Sequence, residues 1–194
     1  MEKKRVIIIH GWEGSPNNEW FPWIKKELEN RDYQVLIPEM LDTEAPRIKE
    51  WVECISRLVK ELDENTFFVG HSIGCQTVLR YLETLDNKRV GGVVLVAPFF
   101  ETLTNLESEE EEKIANPWLK TPIDFEKIKR ITNKFTAIFS DNDQFVILEE
   151  NKKIFEEKLG GKTVIEHNKG HFDEDSGIFE IPVLLNILLD YLKE

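Results

Sequence analysis

The chain has 194 residues, a length that favours a single domain spanning residues 1–194. Its formal net charge of −12 argues against nucleic-acid binding, because an acidic surface repels phosphate and the sequence shows no basic patch. No apolar segment is long enough to span a bilayer, and the apolar run near the N-terminus is too short for a signal peptide, so we expect a cytoplasmic protein.

Short apolar runs alternate with amphipathic stretches along the chain, and 41% hydrophobic residues suffice for a packed core. In chain order the patterns predict a strand at 5–10, a helix at 19–29, a strand at 34–38, a helix at 46–62, a strand at 66–70, a helix at 73–86, strands at 90–98 and 134–140, a helix at 148–161, a strand at 162–167 and a helix at 180–192. Strands that alternate with helices indicate βαβ units. The sequence therefore predicts an α/β fold, a three-layer αβα sandwich around a mostly parallel six-stranded sheet.

A long connection at residues 99–121 separates the fourth and fifth predicted strands and contains the acidic segment "ESEEEEK" at 107–113. We expect this segment to be a solvated loop rather than a tail that binds a partner. It follows the carboxyl end of a strand, so it could rim a site there. The two cysteines, Cys54 and Cys75, are expected to be buried free thiols rather than a disulfide.

The stretch "GHSIG" at 70–74 matches the pattern G-x-S-x-G, with a predicted strand before it and a helix after it. This context is that of a nucleophile elbow, a sharp turn that lifts the serine hydroxyl above the sheet. Gly70 and Gly74 would keep the crowded turn free of side chains. The alternative is that Ser72 is an ordinary helix N-cap. The pattern favours Ser72 as a nucleophile.

A serine hydroxyl needs a base to accept its proton, and that base needs an acid to orient it. The base is expected to be a histidine that follows the last strand, and only four histidines are present. His10 precedes the serine, His71 adjoins it with its side chain expected to point away, and His167 lies in the sixth strand pattern. His171 lies in the polar loop "NKGHFDEDSG", which follows the sixth predicted strand, and is therefore the candidate base.

The acid is expected after the fifth strand, where "SDNDQFV" offers Asp141 and Asp143. Aspartates in such turns often cap their own backbone, and Asp141 is the better candidate for that role because it directly follows the strand. Asp143 lies deeper in the loop. Asp173 and Asp175 come after His171 and are weaker candidates by chain order. The residues alone leave this choice open.

An oxyanion hole needs two backbone N–H groups. One is expected from Ile73, the residue after the serine, and the other from the loop "HGWEGSPNNEW", at Trp12 or a neighbour. Several aromatic residues fall in or near predicted rim loops, where they would line a pocket unless they belong to the core: Trp12, Phe99, Phe100, Trp118 and Phe145.

These motifs resemble the small serine hydrolases of the α/β-hydrolase superfamily, the family that includes the YdeN proteins and the retinoblastoma-binding serine hydrolase. The likeness runs in order over nearly the whole chain, through "HGWEGSPNNEW", "VGHSIGCQ", "VVLVAPF", "SDNDQFV" and "GHF". The resemblance implies an α/β-hydrolase domain without a large lid and a triad of Ser72, Asp143 and His171. Gln144 stands where the family frequently has proline, which leaves Asp143 in place.

We therefore expect a serine hydrolase that cleaves a small-molecule acyl ester, without a metal or an organic cofactor. Thioester or amide cleavage would use the same residues. One alternative is a protein-interaction module on a hydrolase scaffold with little or no catalysis, although it would not need three triad residue types in this order. A flavodoxin-like cofactor binder is disfavoured, because no glycine-rich phosphate loop follows the first strand. The sequence indicates neither a protein partner nor an oligomeric state.

Overall fold

The computed structural model describes residues 3–193 as six strands and seven helices. In chain order the elements are β1 (Arg5–Ile9), α1 (Phe21–Glu29), β2 (Gln34–Leu36), α2 (Ile48–Leu58), β3 (Thr66–His71), α3 (Ile73–Glu83), β4 (Gly92–Val96), α4 (Glu109–Lys120), α5 (Phe125–Ile131), β5 (Phe135–Ser140), α6 (Leu148–Leu159), β6 (Lys162–Glu166) and α7 (Pro182–Lys193). None of these helices is both long and apolar enough to cross a membrane.

The strands form one sheet in the order β2-β1-β3-β4-β5-β6, and each neighbouring pair is parallel. The chain runs from β1 outward to β2 and then continues from β3 in the opposite direction. In open parallel sheets a crevice forms beyond the carboxyl ends of the strands where the direction of winding reverses. The topology therefore places a crevice between the loops that follow β1 and β3.

Helices cover both faces of the sheet, as predicted, and the alternation within β1 shows how. Ile7 and Ile9 pack on the face shared with α2, α3, α5 and α6. Val6 and Ile8 point to the other face, where α1 and α7 lie. All four side chains are fully buried. A strand that is covered on both faces reads as a continuous apolar run, which is why the sequence identified it.

Three predicted helices end early, among them the helix at 148–161, which ends at Leu159, and two observed helices were not predicted. The stretch at 46–62 is helical only from Ile48 to Leu58, because Val59 leaves the helical conformation with φ −104° and ψ 88°. Leu62 lies beyond the end of the helix but still packs against the core, so the apolar pattern extends farther along the chain than the helix does. The helix predicted at 73–86 ends at Glu83. Helices α4 and α5 lie between the fourth and fifth predicted strands, where the sequence pattern predicts no helix.

The acidic segment 107–113 is not a loop, because most of it forms the start of α4. The Ser108 hydroxyl accepts a hydrogen bond from the Glu111 N–H at 3.1 Å, which caps the helix. Four glutamates occupy the first turn, where negative charge is favourable for the helix dipole. Only Ala115 and Trp118 of α4 are buried, so the helix carries little apolar periodicity by which it could be predicted.

A buried arginine fastens the end of α4 to α3. Arg80 is 2% exposed, and its Nη2 donates to the carbonyl oxygens of Trp118 at 2.9 Å and Thr121 at 2.8 Å. Its Nε donates to Gln76 Oε1 at 3.2 Å. The last carbonyls of a helix lack intrahelical partners, so a cation placed there satisfies them and interacts favourably with the helix dipole.

Replacing Arg80 with methionine keeps much of the apolar stem and removes these donors. We expect Arg80→Met to lower the free energy of unfolding by about 3 kcal/mol, because buried carbonyls lose their partners. Urea denaturation measures the change. Arg130→Met, at an exposed position of α5, is the matched control and should change stability by less than about 0.5 kcal/mol. Equal effects of the two substitutions would contradict the role given to Arg80.

Candidate active site

Ser72 is the only residue between β3 and α3, so the chain reverses its course at this position. Its backbone has φ 52° and ψ −120°, a conformation that residues with a side chain rarely adopt. The Ser72 N–H donates to the Val96 carbonyl oxygen at 3.0 Å, which ties the turn to β4. Strain of this kind persists only where the surrounding structure enforces it, and it is common at functional sites.

Gly70 and Gly74 make this turn sterically feasible, as predicted. A Cβ on Gly70 would lie 2.6 Å from the Cα of Cys75, and a Cβ on Gly74 would overlap the carbonyl oxygen of Ile9. Distances this short do not occur for real Cβ atoms, so a side chain at either position would displace the backbone. The two glycines therefore let α3 start directly against β1 and β3.

The alternative interpretation of Ser72, an ordinary N-cap, is wrong with respect to its side chain. Ser72 occupies the N-cap position of α3, but its hydroxyl makes no capping hydrogen bond. The residue instead lines a cavity of about 400 Å³ at the carboxyl ends of the strands. A hydroxyl that is not engaged in capping can act on a molecule in that cavity.

His171 lines the same cavity and contacts Asp143. His171 Nδ1 lies 2.8 Å from Asp143 Oδ2, and both side chains are largely shielded, with 11% and 2% exposure. Asp143 Oδ1 accepts the backbone N–H groups of Phe145 at 2.9 Å and Val146 at 3.1 Å. Because the two oxygens have different partners, Asp143 both shapes its own turn and orients the imidazole. His171 lines the cavity together with Ser72.

Asp141 takes a different partner, although it does not cap its own turn as expected. Its Oδ2 lies 2.5 Å from His167 Nδ1, and its Oδ1 accepts the Asn168 N–H at 2.9 Å. The hydrogen bond from His167 lowers the pKa of Asp141, and the same bond raises the pKa of His167. Asp141 therefore binds the loop that follows β6 through His167 and Asn168. The hydrogen bond to Nδ1 of His171 is made by Asp143.

Residues at the end of β5 hold the loop that carries His171. The Lys169 N–H donates to Ser140 Oγ at 3.0 Å, and the Gly170 N–H donates to Asn142 Oδ1 at 2.8 Å. Ser140 Oγ in turn donates to Asn142 Oδ1 at 2.8 Å. These hydrogen bonds fix the backbone just before His171 relative to the strand that precedes Asp143.

The loop after β1 lies beside the elbow. A Cβ on Gly11 would be 3.5 Å from the Ser72 Cβ, which shows how closely the two turns approach. The Trp12 indole donates to the Glu44 carbonyl oxygen at 3.0 Å, and the Glu13 N–H donates to the Thr43 carbonyl oxygen at 2.9 Å. Ile73 is the first residue of α3, where N–H groups have no intrahelical acceptor. Ile73 directly follows Ser72 in the chain, and Trp12 lines the same cavity as Ser72.

His10 is a buried, neutral histidine that shapes this loop. Its Nδ1 lies 2.9 Å from the Gly11 carbonyl oxygen, and its Nε2 accepts the Met40 N–H at 3.2 Å. One ring nitrogen is a donor and the other an acceptor, which matches the neutral imidazole. Burial lowers the pKa of His10 in agreement with this assignment.

The cavity wall is acidic and only partly aromatic. Its carboxylate-bearing lining residues are Glu13, Glu19, Glu107, Glu111, Asp173, Glu174 and Asp175, and no lysine or arginine lines it within residues 3–193. Trp12 and Phe145 line the cavity as predicted, whereas Phe99, Phe100 and Trp118 belong to the core. The rim role of the acidic segment is confirmed by Glu107 and Glu111.

Two residues of this region are not predicted from the sequence to belong to the site. Glu19 reaches into the site from the stretch before α1, and His71 lies beneath the His171 loop. No local pattern marks either one, because their roles depend on contacts between distant segments. Within residues 3–193, no group of three or more His, Cys, Asp or Glu residues is arranged to hold a metal ion.

A parallel sheet with a serine on the β3–α3 elbow, an aspartate after β5 and a histidine after β6 is the arrangement of the α/β-hydrolase fold. The family model described as "Serine hydrolase" matches residues 6–190, so the chain belongs to this family of hydrolases. Seven helices and the sheet account for the described elements, with no separate lid domain among residues 3–193.

Individual relatives agree with this assignment. YdeN from Bacillus subtilis (strain 168) is 33% identical over 192 residues, which cover 98% of this chain and 97% of YdeN. Serine hydrolase RBBP9 from Rattus norvegicus is 27% identical over 171 residues, or 87% of each chain. The crystal structure of the B. subtilis ydeN gene product superposes with a TM-score of 0.90 and covers 99% of this chain and 100% of its own, at 31% identity.

Est1E from Butyrivibrio proteoclasticus shares the fold at 13% identity, with a TM-score of 0.73 and coverage of 100% of this chain and 90% of Est1E. The family match and the relatives YdeN and RBBP9 make the protein a hydrolase, which excludes the flavodoxin-like cofactor binder and disfavours the interaction module with little or no catalysis.

Proposed function

We propose that the protein hydrolyses small acyl esters, with Ser72 as nucleophile, His171 as general base and Asp143 as the acid that orients it. One observation carries the proposal. Ser72, which follows β3, and His171, which follows β6, line one cavity, and Asp143, which follows β5, engages Nδ1 of His171. This is the set of groups that nucleophilic acyl transfer requires.

Acylation begins when Ser72 Oγ attacks the ester carbonyl carbon and its proton passes to His171 Nε2. A carboxylate only accepts hydrogen bonds, so Asp143 keeps the proton of the neutral imidazole on Nδ1 and leaves Nε2 free to take another. The carbonyl oxygen becomes an oxyanion. In the proposal it accepts hydrogen bonds from the backbone N–H groups of Trp12 and Ile73.

The tetrahedral intermediate collapses when His171 returns its proton to the leaving oxygen, so an alcohol departs and the acyl group stays on Ser72. Water then attacks the acyl carbon and gives its proton to His171. Collapse of this second intermediate breaks the bond to Ser72 Oγ, which recovers the proton as the carboxylic acid leaves. The cycle uses only side chains and backbone groups of the chain itself.

Cavity size and charge support the choice of substrate. A volume of about 400 Å³ lies at the small end of ligand pockets, which suits a short acyl chain. The carboxylates around its wall repel anions, so we propose uncharged esters over anionic ones. Thioesters and amides would pass through the same steps, and we propose esters as the preferred substrate class.

We place the protein in the cytoplasm. Cys75 is buried and free, as expected, and Cys54 is free but only partly buried. Free thiols of this kind persist in reducing compartments and are uncommon in secreted proteins, which favour disulfides.

The central test is covalent labelling with a fluorophosphonate probe, which reacts with an activated serine. We expect the wild type to be labelled and Ser72→Ala to be unlabelled, with His171→Ala labelled at least 100-fold more slowly because the general base is lost. In-gel fluorescence measures the label, and circular dichroism establishes that each variant is folded. An unlabelled wild type, or labelling that survives in Ser72→Ala, would contradict the proposal.

The two aspartates after β5 provide a matched pair. We expect Asp143→Asn to lower kcat for p-nitrophenyl acetate by roughly 10³–10⁴-fold, because an amide no longer selects the productive tautomer of His171. Asp141→Asn changes the same charge two residues away, on a side chain that engages His167, and should leave kcat within about twofold. The opposite ranking of the variants would assign the acid to Asp141.

The acidic wall predicts discrimination between esters of equal length. We expect p-nitrophenyl butyrate to be hydrolysed with a kcat/KM about tenfold or more above that of p-nitrophenyl hemisuccinate, in which a carboxylate replaces the terminal methyl group. Sodium chloride should narrow the gap, because salt screens charges beyond about 10 Å at 0.1 M. Equal rates at low salt would show that the wall carboxylates do not act on the substrate.

A further inference from the structure

His71 is a buried titratable group that the proposed mechanism does not use. It is the last residue of β3 and directly precedes Ser72, and its side chain is 2% exposed. Its Nε2 lies 2.8 Å from the backbone carbonyl oxygen of His171. Since a carbonyl oxygen can only accept, Nε2 must carry a proton. The ring therefore holds the main chain of the candidate base.

The other ring nitrogen faces a carboxylate. His71 Nδ1 lies 3.2 Å from Glu19 Oε2, the Glu19 side chain is 13% exposed, and neither of these two buried atoms makes a hydrogen bond to any described residue. If Nδ1 carried no proton and Glu19 were ionised, two buried acceptors would face each other without any donor between them, which is costly. A proton on Nδ1 removes the conflict and makes His71 an imidazolium.

Backbone strain at Glu19 indicates that this contact is enforced by the fold. Glu19 has φ 55°, in the left-handed region that residues other than glycine seldom occupy. Its N–H donates to Glu174 Oε1 at 3.1 Å, and the neighbouring Trp20 indole donates to the Phe172 carbonyl oxygen at 3.1 Å. The start of α1 is thus fastened to the loop that contains His171, with the Glu19 carboxylate turned inward.

We propose that His71 and Glu19 form a buried imidazolium–carboxylate pair that positions the main chain of His171, so that His71 is a positioning residue for the general base. The proposal rests on the proposed function, because it assigns His171 the role of base. Asp143 fixes the imidazole of His171 through Nδ1, and His71 fixes the backbone from which that imidazole extends. Displacement of a catalytic group by about 1 Å can cost 100-fold in rate.

The charged groups around His71 agree with this protonation state. Glu19 faces it from the segment before α1, Asp173 from the loop after β6, and His10 from the end of β1. The His171 ring lies 5.2 Å away between centroids. Burial alone would lower the pKa of His71, but Glu19, the carbonyl of His171 and Asp173 outweigh burial and raise the pKa above its usual value.

The charge state is tested first, without any assay of activity. In protein labelled with ¹⁵N-histidine, two-bond ¹H–¹⁵N correlation spectra report whether each ring nitrogen carries a proton. We expect both nitrogens of His71 to be protonated at pH 7, identified by their loss in His71→Gln, and to deprotonate at lower pH in Glu19→Gln than in the wild type. A neutral His71 at pH 7 would overturn the ion pair.

Kinetics then test the positioning role. We expect His71→Gln and Glu19→Gln to lower kcat for p-nitrophenyl acetate by about 10- to 100-fold with KM within about threefold, because chemistry and not binding is disturbed. Wild-type kcat should fall at alkaline pH as His71 loses its proton, the fall should begin at lower pH in Glu19→Gln, and this step should be absent in His71→Gln. The double variant should lose no more than the worse single variant.

Glu29→Gln, at an exposed site on α1, removes the same charge away from His71 and should keep the wild-type kcat and pH profile. A change in unfolding temperature alone, with kcat and pH profile unaltered in both Glu19→Gln and His71→Gln, would reduce the pair to a structural role and overturn the inference. If wild-type labelling does not depend on Ser72, the proposed function fails and the positioning role with it. Ser72-dependent labelling with an unprotonated His71 refutes the inference alone.

Discussion

The contact of Gly74 with the backbone of Ile9 and His10 is the constraint on which the rest of the site depends. Because no Cβ stands between them, the first turn of α3 rests directly on the end of β1. The helix can then begin one residue after β3, which forces Ser72 into its positive φ. The same approach brings the loop after β1 beside the elbow, where Gly11 lies close to Ser72 and Trp12 lines the same cavity as the serine. A larger residue at 74 would disturb the nucleophile and its surroundings together.

The site is otherwise assembled by hydrogen bonds between loops rather than by apolar packing. One carboxylate oxygen of Asp143 accepts a hydrogen bond from its own turn, and the other contacts His171. The bond to the turn holds the carboxylate in the orientation that the contact with His171 requires. Ser140 and Asn142 reach from the end of β5 to the backbone just before His171. A chain of polar contacts from one strand end to the next sets relative positions with little freedom, which is what a preorganised site requires.

The strands of the sheet and the nucleophile elbow could be predicted because the sequence patterns that mark them are local. Buried parallel strands are continuous apolar runs, and G-x-S-x-G between a strand and a helix needs no distant information. Helices α4 and α5 carry their signals in caps, at Ser108 and Asp124, and have too few buried residues to show a period. Asp141 and Asp143 could not be told apart from residue type or spacing, because both lie in one turn and only the loop after β6 decides which histidine each one meets.

Two buried histidines show most clearly what the sequence cannot convey. His10 and His71 lie at adjacent strand ends, and burial acts on the pKa of both in the same direction. His10 lies between a carbonyl oxygen and an N–H group, which a neutral ring satisfies. His71 lies between a carbonyl oxygen and the Glu19 carboxylate, and a doubly protonated ring presents an N–H group to each of them. The charge of each ring is therefore set by its partners and not by its burial. One of these partners, Glu19, is held in place by a strained backbone with positive φ, which no sequence pattern predicts.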